Sequence, residues 1–259
     1  MIEIVLIGIG TGNPEHLTLQ AIRALNAADL ILIPRKGVDK ADLADLRRSI
    51  CAEVLTNPIT RIVEFDMPVR DHRDPNYHGG VDRWHDAVAI AWASVIDSEI
   101  AGTGSVALLV WGDPALYDSS QRIAARLQPP PSVRVIPGIT SLQALCAAHA
   151  IPLNEINSPF LVTTGRHLRE AGWPDGVDTL VVMLDGTCAF QHLVPAGITI
   201  WWGAYLGMPS EIIIAGPLAE AGPRIIEVRA SARTQHGWIM DTYLLRRAAP
   251  PRMRGPQRT

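Results

Sequence analysis

Long apolar runs, paired cysteines and a surplus of positive charge are all missing from this chain. No stretch approaches the roughly 20 apolar residues that span a bilayer, and Met1, Ile2 and Glu3 lead straight into a strand pattern with no basic segment ahead of an apolar one. Neither a membrane partner nor a secretory leader is expected, and a cytoplasmic location follows. The three cysteines, Cys51, Cys146 and Cys188, stand alone without C-x-x-C spacing, which excludes a disulfide framework and a zinc site of that kind. The formal net charge of -3 excludes the broad positive field of a general nucleic-acid binder, so an anionic ligand has to be met by local clusters.

What is present is a globular composition. The chain has 259 residues, 47% hydrophobic and 19% charged, enough for one large or two ordinary domains, and its 21 glycines and 20 prolines imply many connections.

Strands and helices alternate through the first half. Ile2 to Ile7 is an apolar run that ends in Gly8-Ile9-Gly10-Thr11-Gly12-Asn13-Pro14, after which Thr18 is placed to cap a helix whose Ala21, Ile22, Leu25 and Ala28 share a face. Leu30 to Ile33 is a second strand, closed by Pro34-Arg35-Lys36-Gly37 and followed by a helix around 39–51; Arg61 to Phe65 is a third. Beyond a polar loop at 67–80, Val81, Trp84, Val88, Ala91, Trp92 and Val95 recur at three and four residues, the spacing of a packed helix face. Ser105 to Trp111 supplies the next strand. Strands that are apolar on both faces and separated by helices predict an α/β protein with a parallel sheet.

The triplet Pro129-Pro130-Pro131 cannot continue a helix and marks the expected domain junction, giving domains at 1–128 and 132–247. In the second domain, strands are expected at 133–136, 160–164, 179–184, 198–202, 211–215 and 224–229, closer together and hairpin-like from 198 onward, hence a mixed sheet. The Pro-rich 248–259 reads as a mobile tail.

Three loops carry the chemistry. The first, G-I-G-T-G-N, is close to a dinucleotide fingerprint, but its third glycine falls one place early, and Arg35 and Lys36 follow the second strand where a nicotinamide site would have an acid. A tight turn alone would also account for those glycines. In the second, Trp111-Gly112-Asp113-Pro114 closes the strand at 105–111, and ligands of parallel sheets bind beyond such carboxyl ends. Glycine there lets a ligand approach the backbone, Asp113 can attract a cation or accept hydroxyl hydrogen bonds, and as a plain alternative Asp113-Pro114 is a turn initiator. The third, Pro137-Gly138-Ile139-Thr140-Ser141, opens a helix with two hydroxyls, which as N-caps need no ligand to justify them.

Taken together and in order, GxGxxNPE, GDPxLYD and PGITS resemble the tetrapyrrole methylase family over nearly the whole chain, to about residue 247. The resemblance implies the two-domain class III methyltransferase fold, with a parallel-sheet domain, a mixed-sheet domain and a cleft between them, S-adenosyl-L-methionine as cofactor, and a homodimer. WGDPALYDSS, PRKG and RDHRDPNYHGGVDRWHDA are similar to the branch of the family that methylates C1 of precorrin-5 and releases acetate. Other precorrin C-methyltransferases, and an NADP-dependent reductase suggested by the first loop, are the alternatives.

By position, the resemblance implies cofactor contacts from Pro14, Trp111, Gly112, Asp113, Leu116, Thr140 and Ser141, from Leu184 in the stretch VMLDG, and from Gly203, Ala204, Gly216 and Pro217. No metal or covalent nucleophile is needed for an in-line methyl transfer, which depends on holding the two reacting atoms about 3–3.5 Å apart and aligned. A macrocycle bearing acetate and propionate arms needs cations, and Arg35, Lys36, Arg70, His72 and Arg166, with Arg73, His167 and Arg169 beside them, follow strand ends where such arms would lie. A solvated surface charge is the plain reading of each one. Release of acetate needs a proton handler, for which Tyr117 and Asp118 are the candidates and His72, His78 and His85 lie within range in sequence.

Overall fold

A computed structural model describes residues 1–35, 41–71 and 76–248, and the chain divides into two units, Met1–Ser141 and Leu142–Thr259.

The first unit is built on β1 (Ile2–Gly8), β2 (Leu30–Arg35), β3 (Arg61–Asp66), β4 (Gly104–Val110) and β5 (Ser132–Ile136), all parallel in the order β3-β2-β4-β1-β5. Its helices are α1 (Leu19–Ala27), α2 (Ala41–Val54), α3 (Tyr77–Glu99) and α4 (Ser120–Ala124). Alternate residues of a strand face opposite sides, and both sides are covered here. Val5, Ile7, Ile31, Ile33, Ala107 and Leu109 pack with Ala21 and Leu25 of α1 and Ile50 of α2. Ile4, Leu6, Leu30, Leu32, Val106 and Leu108 pack with Val88 and Trp92 of α3 and Ile123 of α4. That double burial is why these strands read as unbroken apolar runs, and each fully buried Leu or Ile contributes about 1.5–3 kcal/mol.

Local signals set the helix starts. Thr18 Oγ1 accepts from the Ala21 amide at 3.0 Å, and Asn76 Oδ1 accepts from the Gly79 amide at 2.9 Å, caps worth about 1 kcal/mol each. Because the strands are parallel, every loop that follows one leaves from the same edge.

The second unit carries β6 (Phe160–Thr164), β7 (Thr179–Met183), β8 (Ile198–Ala204), β9 (Ile212–Pro217) and β10 (Asp241–Arg247), with α5 (Ser141–His149) at its start, α6 (Gly165–Ala171) and α7 (Leu218–His236). The order is β6-β7-β10-β8-β9; β6 and β7 are parallel, β10 runs antiparallel to β7 and β8, and β8 and β9 form an antiparallel pair. The sheet is mixed, as expected. Trp202 is fully buried, Trp201 is half-covered with the Arg246 guanidinium 5.3 Å from its ring centre, and Ile213 is exposed.

Two expectations are corrected, and one strand is added. The proline triplet does not end the first unit, since residues 132–136 pair with β1 and the division falls after Ser141. Residues 224–229 are not a strand but the middle of α7, whose buried Leu218, Ala221, Gly222, Ile225, Arg229 and Ala232 recur at helical spacing; the stripe is hidden in the sequence because one of its members is an arginine. The central strand β10 was not expected at all. Of the tail at 248–259, all but Ala248 lies outside the described residues. No described helix is long and apolar enough to cross a membrane.

Candidate functional site

Three loops of the first unit converge at the carboxyl edge of its sheet. The amide of Ile9 donates to the carbonyl of Val110 at 2.9 Å, and Gly10 and Gly112 form an antiparallel bridge with Gly112 N donating to Gly10 O at 2.7 Å and Gly10 N to Gly112 O at 3.4 Å. Glycine is required by geometry at two of these turns. Gly10 and Gly112 have φ of 72° and 62°, in the left-handed region. The third loop enters just as closely: a Cβ on Gly138 would stand 2.1 Å from the Gly112 carbonyl oxygen, and one on Gly112 would stand 3.6 Å from Thr140 Cα.

Asp113 fastens two of the loops. Its Oδ1 accepts from the Ala115 amide at 2.7 Å and its Oδ2 from the Gly138 amide at 2.9 Å. The turn-forming reading of Asp113 is therefore realised, and both its oxygens serve the protein backbone. Leu116 closes that turn by donating to the Asp113 carbonyl at 3.1 Å. Pro14, half-buried, starts a 3-10 turn over Pro14–His16 that Asn13 caps by accepting from Glu15 N.

At the start of α5, Thr140 is buried, and Ser141 Oγ is buried with no hydrogen-bond partner among the described residues. An orphaned buried hydroxyl costs about 1–3 kcal/mol, which a ligand's polar group at this edge would relieve. Trp111 is half-buried, and 4.7 Å from its ring centre lies the guanidinium of Arg47, a buried residue of α2 that the sequence did not single out. Arg47 Nε donates to the Leu109 carbonyl at 3.2 Å and Nη1 to Leu43 O at 3.2 Å; burial lowers its pKa to about 10 against the opposing pull of Asp118 and Cys51. The helical position of Arg47 on an otherwise apolar face is the signal that could have marked it.

In the second unit, Leu184 follows β7 in the left-handed conformation, φ 53°, with its side chain 66% exposed. Strain of this kind on an exposed apolar residue is characteristic of ligand sites. Behind it, Asp185 is buried, accepting from Tyr243 Oη at 2.6 Å, Thr187 N at 3.0 Å and Ala189 N at 2.5 Å; it stands where a Cβ on Gly165 would be 2.2 Å from its Cγ. Arg229, paired with Asp241 at 2.8 Å, also donates to the Asp185 carbonyl at 3.0 Å.

Gly203 and Ala204 close β8 at the end of the sheet where Leu184 follows β7, since Thr242 of β10 pairs with Gly203 while its neighbour Tyr243 pairs with Val182. Gly203 also has a packing reason, because a Cβ there would meet Leu206 Cδ2 at 2.5 Å. Gly216 and Pro217 are not brought to that end. They pair with Ile200 and Thr199, several residues back along β8, because β9 runs the other way.

Among the cation candidates, Arg35 is already neutralised, lying 3.0 Å from Asp66 and 3.7 Å from Glu64. Arg70 is half-buried, Arg166 and His167 are exposed in the first turn of α6, and Arg169 donates to Thr187 Oγ1 at 3.0 Å. Lys36, His72 and Arg73 lie outside the described residues. Of the proton-handling candidates, Tyr117 is exposed, has φ 50°, and desolvation raises its pKa. Asp118 lies two residues ahead of α4, Oδ1 accepting from Ser120 N at 2.7 Å. His78 is exposed at the start of α3, and His85 is buried within it.

Residues 3–222 match the family model of Tetrapyrrole (Corrin/Porphyrin) Methylases. The chain belongs to this family. It is 51% identical over 253 residues to a precorrin-6A synthase [deacetylating] from Sinorhizobium sp, covering 96% of this chain and 97% of that one, and 32% identical over 155 residues to a precorrin-2 C(20)-methyltransferase from the same source, covering 57% and 59%. Among solved structures, a cobalamin-synthesis-related protein, CobF, of Corynebacterium diphtheriae superposes with a TM-score of 0.79 at 41% identity, over 95% of this chain and 99% of that one. A uroporphyrin-III C-methyltransferase of Thermus thermophilus, complexed with S-adenyl homocysteine, shares the fold at a TM-score of 0.57 and 20% identity, over 94% of this chain and 96% of that one. The fold is thus the two-domain class III methyltransferase fold, and the enzyme is a methyltransferase; the reductase alternative falls.

Proposed function

We propose that the enzyme transfers a methyl group from S-adenosyl-L-methionine to C1 of precorrin-5 with release of acetate, giving precorrin-6A. The observation that carries this is the end-to-end match, 51% identity over 96% of the chain, to a deacetylating precorrin-6A synthase. The site chemistry agrees with it.

The cofactor supplies a sulfonium methyl group for in-line displacement. The glycine edge at Gly10, Gly112 and Gly138, whose amides bond within the protein, lets it approach the backbone closely, and the Ser141 hydroxyl, which lacks a partner among the described residues, is available to bind its polar groups. Trp111, backed by Arg47, gives a flat apolar wall, and Leu184, Gly203 and Ala204 are assigned as further cofactor contacts on the strength of the family resemblance. Asp113 acts indirectly, by holding the loops that present those backbone groups. Substrate carboxylates are met by Arg70 and Arg166 together with Lys36 and His72, while Arg35, committed to Asp66 and Glu64, contributes less. The raised pKa of Tyr117 keeps its hydroxyl protonated, so it serves as a hydrogen-bond donor to a substrate carbonyl; Asp118 holds the segment that carries it. A cytoplasmic homodimer completes the reading.

The test is incubation with labelled S-adenosyl-L-methionine and precorrin-5, with product mass and acetate measured together. A labelled product with stoichiometric acetate is expected. Label transfer without acetate would reassign the enzyme to another precorrin C-methyltransferase.

A further inference from the structure

The proposed reaction demands a base that simple methyl transfer does not, and Asp118, His85 and Tyr117, three of the candidates named from sequence, do not supply one readily. One oxygen of Asp118 is bound to the Ser120 amide, His85 is buried in the core on α3, and Tyr117 is held protonated. A different imidazole stands at the loops. His16 Nδ1 is 3.0 Å from Thr11 Oγ1, and its Cβ packs so tightly on the first loop that a Cβ on Gly10 would stand 2.7 Å away. Gly10 is the residue bridged to Gly112. The ring is thus tied at one nitrogen to a hydroxyl of the same loop, within one residue's contact of the bridge that forms the carboxyl edge.

We infer that His16, oriented by Thr11, is the general base that activates water for release of the acetyl group, an inference that rests on the reaction proposed above. The role requires the tautomer in which Nδ1–H donates to Thr11 Oγ1, leaving Nε2 to accept a proton. Water gives that proton to Nε2 as its oxygen bonds to the acetyl carbonyl carbon, whose oxygen takes up the π pair. When the pair returns, the bond between the acetyl carbon and the macrocycle breaks, acetic acid departs, and the bonding pair stays on the macrocycle carbon. That carbon uses the pair to take the methyl group, and the imidazolium passes its proton to solvent. One water and one sulfonium methyl are consumed; acetate, a thioether and two protons are formed, and charge balances. Thr11 is a positioning residue in this scheme, and His16 the catalytic one.

The experiment measures single-turnover acetate release, methyl transfer and S-adenosyl homocysteine affinity in parallel for H16A, H16Q, T11V and T11S. A positioned base contributes about 10²–10⁴-fold, so H16A and H16Q should lose acetate release by at least about a hundredfold while binding S-adenosyl homocysteine within about threefold of the unchanged enzyme. Added imidazole should restore part of the activity of H16A, and T11S should recover what T11V loses. Full acetate release by H16Q overturns the assignment. So does parallel loss of cofactor affinity and turnover in both His16 variants without imidazole rescue, which would make the residue structural. If the unchanged enzyme releases no acetate, the proposed reaction itself fails, and the His16 variants are not what decides it.

Discussion

The backbone amide of Gly138 donates to the carboxylate of Asp113 at 2.9 Å, joining the loop after β5 to the loop after β4. These two residues lie twenty-five positions apart in sequence, and the bond fixes the spacing between the glycine edge at Gly112 and the hydroxyls at Thr140 and Ser141. Hydrogen bonds to a charged partner contribute about 1.5–3 kcal/mol each. Asp113→Ala removes two such bonds, one of them solvent-exposed and so worth less, and is expected to lower unfolding free energy by about 2–4 kcal/mol, with at least tenfold weaker S-adenosyl homocysteine binding. Urea unfolding and calorimetry check it, and unchanged affinity in the folded variant would remove Asp113 from the site's architecture.

Gly138→Ala tests the same convergence sterically. A methyl group 2.1 Å from the Gly112 carbonyl oxygen cannot be accommodated without displacing one of the loops. The expected outcome is a folded protein with S-adenosyl homocysteine affinity reduced more than tenfold, whereas Gly102→Ala, at a position with nothing within 4 Å but a φ of 85°, costs stability through backbone strain and leaves affinity unaltered.

Arg35 has lost most of its appeal as a carboxylate receptor. Its side chain is 51% exposed and faces Asp66 and Glu64, so replacing it with glutamine removes a surface pair worth about 0–1 kcal/mol. Tetrapyrrole affinity of Arg35→Gln should change less than about threefold. A tenfold loss by titration would restore Arg35 to the substrate site.

His85 makes stability depend on pH. It is buried with Nε2 unpartnered among the described residues, and its pKa is lowered first by desolvation, then by Arg126 and Arg122 against the opposing pull of Asp82 and Asp86. The unfolded imidazole titrates near about 6.5. Below that pH the unfolded chain takes up a proton that the folded chain refuses, so this residue's effect is absent above pH ~6.5 and destabilising as pH falls through it toward the folded value. Thermal unfolding from pH 8 to 5 should show a decline that is shallower in His85→Leu; identical profiles would contradict the desolvated environment.

Much of the first unit was legible because its strands are buried on both faces, so Ile4 to Ile7, Leu30 to Ile33 and Val106 to Val110 announce themselves as uninterrupted apolar runs. The glycines and Asp113 were legible through their motifs, although the partner of Asp113 was not. Long-range relations escaped. Arg229 sits in the buried stripe of α7 because Asp241 neutralises it, and that pairing of residues on separate elements disguised both the helix and the strand that begins at Asp241. The opposed directions of β8 and β9, which separate Gly216 from Gly203, are likewise a property of sheet pairing. Thr11 and His16 meet only because the chain tightens into a 3-10 turn between Asn13 and Leu17.

The position of β10 has a consequence for biosynthesis. The first sheet has all its strands by Ile136, so it can close while the ribosome is still producing the remainder. The second sheet has to wait for its last strand, which inserts between β7 and β8. Until Arg247 leaves the exit tunnel, two apolar strand edges stand open, and a nascent chain stalled before Asp241 presents them to chaperones and proteases.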